Sequence, residues 1–253
     1  MTSNFINHQS FKCLLGPQSK EVTIHDNLFL WKVGKKQHFA IQGDLNNNHI
    51  AILKNYAPSN FHYISQSNLD FLKQYFSVDK GKNTSIVLDI QDLSFKGKKY
   101  SSIRHCLNRC QNIFTLEPNY RNILDVKNLI NEWSDQYTEK YFRDNSGKNT
   151  YFYKNNFHQN LISLFVYQEN NLVAFGSLTQ PDVDGYSSYA LGKALYKRHY
   201  GLSEFADIEL YKLGQQAGVK YVNMGAATKG LLDYKTKFNH ISQIHFDGNI
   251  NEL

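Results

Sequence analysis

Residues 186–246 read YSSYALGKALYKRHYGLSEFADIELYKLGQQAGVKYVNMGAATKGLLDYKTKFNHISQIHF, and the order of apolar and polar runs within them decides the fold. Tyr186 to Leu191 is short, apolar and strand-like, and it leads into a basic loop that closes on Arg198-His199-Tyr200-Gly201-Leu202-Ser203. Leu202, Ala206, Leu210, Leu213 and Ala217 then recur at helical spacing, so a helix is expected over 203–217, with Ser203 as its cap and Gly218 as its stop. Val219 to Met224 is the next strand, a short helix carrying Lys235 and Lys237 follows, and Ile241 to Phe246 is the last strand.

Upstream, Val126, Ile130, Trp133, Tyr137 and Tyr141 predict a long amphipathic helix starting near Tyr120. A loop is expected at Asp144–Asn149 and a second helix from Tyr153 to Leu161. Leu164–Tyr167 and Leu172–Leu178 flank Glu169-Asn170-Asn171 as a β-hairpin, and a turn at Pro181–Gly185 feeds the strand at Tyr186. Nearer the N-terminus, Leu28–Val33 and His38–Gln42 flank the hairpin signal Gly34-Lys35-Lys36. His49–Leu53 continues the strand-like pattern after an Asn46–Asn48 turn, Ser67–Phe76 is helical, and Ile86–Ile90 is a buried strand. Thr115-Leu116-Glu117-Pro118-Asn119 reads as a connector and marks the expected boundary between residues 1–118 and 119–253.

The chain has 253 residues, 41% of them hydrophobic and 14% aromatic, enough to bury a substantial core. No apolar run nears the roughly 20 residues of a membrane span, and the first residues lack a signal-peptide core, so a soluble, cytoplasmic protein is expected. Cys13, Cys106 and Cys110 are too few for a disulfide framework; Cys106 and Cys110 stand four apart beside His105, without the further ligands a tetrahedral metal site needs. Reduced structural thiols and no metal follow. The net charge of +6 favours an anionic partner, and the densest basic stretch is Lys96–Arg109, where a helix capped by Ser101 or Ser102 turns Ile103, Leu107 and Cys110 inward and Arg104 and Asn108 outward.

A helix start preceded by glycine and arginine gathers backbone N–H groups, the positive end of the helix dipole and a guanidinium. Arg198-x-x-Gly201-x-Ser203 is therefore a candidate anion cradle, with an ordinary capped helix as the alternative. The element order of the C-terminal half resembles the Gcn5-related N-acyltransferase (GNAT) fold, in which a Gln/Arg-x-x-Gly-x-Gly/Ala signature opens this helix and holds the acyl-CoA pyrophosphate. Ser203 here replaces the final Gly or Ala.

Wider stretches resemble the C-terminal domain of bacterial lysyl-phosphatidylglycerol synthases and the related Fem-type aminoacyl transferases. They are Phe29–Lys32, Gly97–Arg109, Leu172–Phe175, Tyr200–Ser203, Asn223–Gly225 and Gly230–Phe238. The resemblance implies an α/β (α+β) fold of two tandem GNAT-like lobes, each a mixed, mostly antiparallel sheet flanked by helices. It also implies transfer of an aminoacyl group from charged tRNA to an amine or hydroxyl. Two departures stand out: the chain carries no membrane-embedded part, so a lipid acceptor is not expected, and Asn223-Met224 stands where the lipid synthases carry acidic residues.

The resulting expectation is a soluble acyltransferase that moves an aminoacyl group from aminoacyl-tRNA, or an acyl group from acyl-CoA, by direct attack in a ternary complex. The alternative is a catalytically inert RNA- or ligand-binding protein of the same fold. Tyr189, Asn223 and Lys235 are the candidate catalytic residues, against a reading as hydrogen-bonded core polars for the first two and a solvated basic face for the lysine. Arg198, Gly201, Leu202, Ser203 and Lys237 form the candidate donor site, and Lys98, Lys99, Arg104 and Arg109 the candidate tRNA-binding surface, with Tyr100 available for stacking. His199 is either a general base or a surface histidine. No tightly bound cofactor is expected, the acceptor being a small-molecule or peptide amine.

Overall fold

The computed structural model describes residues 22–41, 43–135, 161–226 and 229–253. The loop expected at Asp144–Asn149, most of the helix expected from Tyr153, and Tyr137 and Tyr141 lie outside the described residues.

In the first part of the chain, β1 (Thr23–His25), β2 (Leu28–Val33) and β3 (Lys36–Ile41) precede α1 (Asn47–Lys54), β4 (Ser59–Ile64), α2 (Gln66–Leu72) and β5 (Ser77–Asp89). Then come α3 (Ser101–Cys110), β6 (Thr115–Glu117), α4 (Ile123–Asp135), the hairpin β7 (Leu161–Gln168) and β8 (Asn171–Thr179), and β9 (Tyr186–Ala194). The remainder is α5 (Leu202–Gln216), β10 (Tyr221–Ala226), α6 (Lys229–Lys235) and β11 (His240–Asn251).

Three local readings change. His49–Leu53 belongs to α1 rather than to a strand: the Asn46 side chain accepts from the His49 N–H at 3.1 Å, the His49 ring accepts from the Asn46 N–H at 3.2 Å, and this reciprocal cap starts a helix that buries Ile50 and Leu53. Thr115–Glu117 is no connector but an edge strand paired with β7. The cap of α5 is Gly201, at φ +85°, one turn position before α5 begins at Leu202, and Ser203 lies within the first turn.

The strands form one sheet in the order β1-β2-β3-β4-β11-β5-β10-β9-β8-β7-β6. Pairing is antiparallel except for β3–β4 and β9–β10. Strands from either side of residue 118 interleave, because β11 lies between β4 and β5 and β10 lies against β5. A division at 118 therefore does not divide the sheet.

Side-chain alternation separates the cores. On β7, Leu164 and Val166 join the core under α5, whereas Phe165 and Tyr167 join the core under α4, so this strand is buried on both faces. The helices α1 and α2 cover a third core built on β2, β3, β4 and β11.

On the other face of that N-terminal half, two consecutive residues of β4, His62 and Tyr63, oppose Asp247 at a bulge, with Tyr63 at φ +57°. The Tyr63 N–H donates to Asp247 Oδ1 at 2.8 Å, His62 hydrogen-bonds His38 at 3.0 Å, and His245 hydrogen-bonds Ser85 at 3.1 Å. Burial is the main reason that His38, His62 and His245 all titrate below the ordinary histidine range. Protonation is thus harder in the folded chain, the unfolded chain binds more protons below about pH 6.5, and stability is lost as pH falls through that window. Between pH 7.5 and 5.5 the Tm of the wild type should fall further than that of His62→Gln; equal falls would contradict this account.

Candidate active site

The parallel pair β9–β10 is short. Tyr186, Ser187 and Ser188 face Tyr221, Val222 and Asn223, and beyond Ser188 the strands part. Among the described strands, β9 pairs from Tyr189 onward with β8, through a bulge, while β10 stays with β5 through a second irregularity around Gly225 at φ +67°. A wedge therefore opens in the middle of the sheet, where among the described residues no strand runs beside β9 on its β10-facing side beyond Tyr189. An extended segment or a carbonyl group can use such an edge.

Asp207 sits at the wedge. It lies on α5, is almost completely buried, and accepts from the Tyr189 hydroxyl at 2.7 Å and the Tyr234 hydroxyl at 2.7 Å, one on each carboxylate oxygen. Burial pushes its pKa up to about 6, against the two hydroxyl hydrogen bonds and Lys235, which favour the charged form. Tyr189 comes from β9 and Tyr234 from α6, so this carboxylate ties three elements together. Space for the Tyr189 hydroxyl is provided by Gly192, where a Cβ would lie 1.8 Å from that oxygen.

Lys235, at the end of α6, is buried, and its Nζ donates to the carbonyls of Met224 and, at 3.2 Å, Gly225. It thereby grips β10 where that strand leaves β9. Burial lowers its pKa to about 8, which Asp207 partly offsets. Asn223 is buried beside it, its side-chain oxygen accepting from the Gly225 N–H at 2.7 Å. Tyr189, Asn223 and Lys235 thus converge on the wedge, where Asn223 and Lys235 shape the strand end.

The expected donor loop is clamped by α3. Gly201 packs so closely on Cys106 that a Cβ would lie 2.8 Å from the cysteine Cβ, and its φ of +85° disfavours any side chain. The Arg109 guanidinium lies 5.3 Å from the centre of the Tyr200 ring, and Phe114 meets His199 and Phe205. The basic segment and the expected donor loop, joined by contacts between residues 90 apart such as Cys110 and Tyr200, therefore form one surface. Burial raises the thiol pKa values of Cys106 and Cys110, the latter to about 11.

Within this surface the candidate residues differ in their partners. Leu202 is fully buried. Arg198 pairs with Glu132 of α4 at 2.5 Å and Lys237 with Glu204 at 2.8 Å. Arg104, expected to face solvent, folds back to donate to the carbonyls of Phe95 at 2.5 Å and Gly97 at 2.7 Å, which shapes the turn before α3. Lys98, Lys99 and Arg109 are exposed.

Asp207, Tyr234 and Lys193 went unread in the sequence. Asp207 stands beside Ala206 and one turn from Leu210 and Tyr211, and a carboxylate on the apolar side of a helix is the available signal. Lys193, on β9 past the parting point, lies 4.0 Å over the Trp133 ring, and burial lowers its pKa to about 8. Among the described residues no cluster suits a metal ion and no helix is long and apolar enough to cross a membrane.

The family model for the C-terminal domain of phosphatidylglycerol lysyltransferase matches residues 48–242. Among solved structures, a conserved protein of unknown function from Bacteroides thetaiotaomicron VPI-5482 superposes with a TM-score of 0.75 at 17% identity, covering 100% of this chain and 94% of that one. The C-terminal domain of a candidate lysylphosphatidylglycerol synthetase from Agrobacterium fabrum gives 0.70 at 16% identity over 96% of this chain and 88% of its own. L-PGS from Bacillus licheniformis gives 0.68 at 16% identity over 98% and 93%. A search of curated proteins gave no significant match.

Gly192→Ala should displace Tyr189 from Asp207 and destabilise the protein by about 1–3 kcal/mol, a Tm loss of several degrees in thermal unfolding. An unchanged Tm would show that the Tyr189–Asp207 contact is not what fixes this glycine.

Proposed function

Since the chain belongs to the family of phosphatidylglycerol lysyltransferase C-terminal domains, we propose that it is an acyltransferase whose reaction takes place in the β9–β10 wedge. The donor is an aminoacyl-tRNA or, in second place, an acyl-CoA, and the acceptor is a small-molecule or peptide amine. The observation that carries this reading is the wedge itself, with the paired tyrosines of Asp207 on one side and the Lys235-held end of β10 on the other.

Aminoacyl-tRNA is placed first because the start of α5 is poorly suited to a pyrophosphate. Glu204 already puts negative charge in its first turn, and Arg198 is engaged by Glu132. Lys98, Lys99 and Arg109 would meet the RNA backbone. We read the cores on either side of β5 as two lobes fused through a single sheet, the last strand of the C-terminal lobe having crossed into the N-terminal one.

In the proposed step, the donor carbonyl lies in the wedge between β9 and β10, beside the Tyr189 hydroxyl. The neutral acceptor amine attacks the carbonyl carbon, forming C–N as the C–O bond to the terminal ribose, or the C–S bond to the thiol, breaks. The amine proton passes to the Tyr189 oxygen while the Tyr189 proton moves to Asp207, and the same relay returns a proton to the leaving oxygen or sulfur. The chain's contribution is orientation, dry surroundings and this proton path.

Incubation with charged tRNAs, acetyl-CoA and candidate amines, following loss of the acyl ester or release of free thiol, tests the proposal. Asp207→Asn and Lys235→Met should lower kcat by roughly 10²–10⁴-fold. The wild-type rate should decline as pH falls through about 6, where Asp207 takes up its proton, and Asp207→Asn should lack that limb. If neither donor is consumed with any acceptor while RNA still binds, the protein is a binding descendant of the fold and the enzymatic reading fails.

A further inference from the structure

We infer that Tyr200 and Arg109 form a stacking platform for the terminal adenine of the donor, an inference that rests on the proposed donor site. Tyr200 is 62% exposed although it sits in a loop packed against α3. Its backbone carbonyl lies 4.0 Å from Cys110 Sγ, the next residue is pinned on Cys106, and the preceding His199 ring meets Phe114 edge-on. The ring is therefore presented to solvent by a rigid support rather than by a floppy loop, and it loses little freedom when a ligand stacks on it.

Arg109, from α3, places its guanidinium 5.3 Å from the ring centre, so the platform combines a π face with positive charge. A flat base attached to a phosphate-bearing ribose has the shape and charge for that combination. Both donor classes end in adenosine, as the 3′-phosphorylated nucleotide of coenzyme A or as the terminal residue of tRNA, so the shared chemistry is adenine on a phosphorylated ribose.

The test measures binding of two probes by calorimetry: adenosine 3′,5′-bisphosphate and a short RNA ending in CCA, each beside its abasic counterpart. Wild type should bind at least one base-bearing probe about 10-fold more tightly than the abasic form, and which probe it is identifies the donor class. Tyr200→Ala, whose exposed site leaves the Tm unchanged, should erase that difference, Tyr200→Phe should keep it, and Arg109→Ala should reduce it. If the wild type binds a probe and Tyr200→Ala retains the full base preference, the platform is overturned and the donor site stands. If the wild type binds neither probe, the donor site and the platform fall together.

Discussion

A carboxylate withdrawn from water must be met by donors, and Asp207 is met by two tyrosine hydroxyls from elements distant in the chain. One hydrogen bond fixes β9 at the residue where it leaves β10, and the other fixes α6, whose last residue, Lys235, in turn holds the end of β10. Remove the carboxylate and both strands at the wedge lose their anchors. The opening in the sheet is thus a consequence of a small polar network and not of poor packing. The same network holds one carboxyl group whose pKa burial pushes up to about 6 and one lysine whose pKa burial lowers to about 8, in a region otherwise filled by apolar side chains.

A second constraint acts on the donor side. The start of α5 has no capping side chain, and it is Gly201, pressed on Cys106, that lets α3 approach. That contact joins the basic segment to the loop and aligns Arg109 with Tyr200. The two expected surfaces, one for RNA and one for the acyl donor, are continuous because two helices meet at a glycine. The two arginines of greatest interest are already engaged: Arg104 by carbonyls of its own turn and Arg198 by Glu132. Charge density in the sequence therefore overstates the cations free to meet a polyanion.

Much of the fold was legible because its signals are local. The hairpin around Glu169, the strand from Tyr186, the apolar stripe of α5 and the strands at Val219 and Ile241 all follow from period and turn chemistry. His49–Leu53 misled because a β-branched run mimics a strand while the deciding interaction is a cap between Asn46 and His49. The β6 strand was hidden by its neighbour Pro118, and the interleaving of β11 by the fact that strand order is a long-range property. At the candidate site, Tyr189, Asn223 and Lys235 were read from expected places at strand and helix ends, whereas Tyr189 and Asn223 lie within β9 and β10, around the point where those strands part. Asp207 and Tyr234 were not, since only the tertiary fold shows that they share a hydrogen bond.

The central claim is that acyl transfer occurs where β9 and β10 part. A crystal structure with a non-hydrolysable analogue of the aminoacyl-tRNA 3′ end, an aminoacyl group in amide linkage to adenosine, tests it most directly. The account predicts the amide carbonyl within the wedge, between β9 and β10 and within hydrogen-bond reach of the Tyr189 hydroxyl. Density for the acyl group anywhere else, with the wedge closed over Asp207, would contradict it.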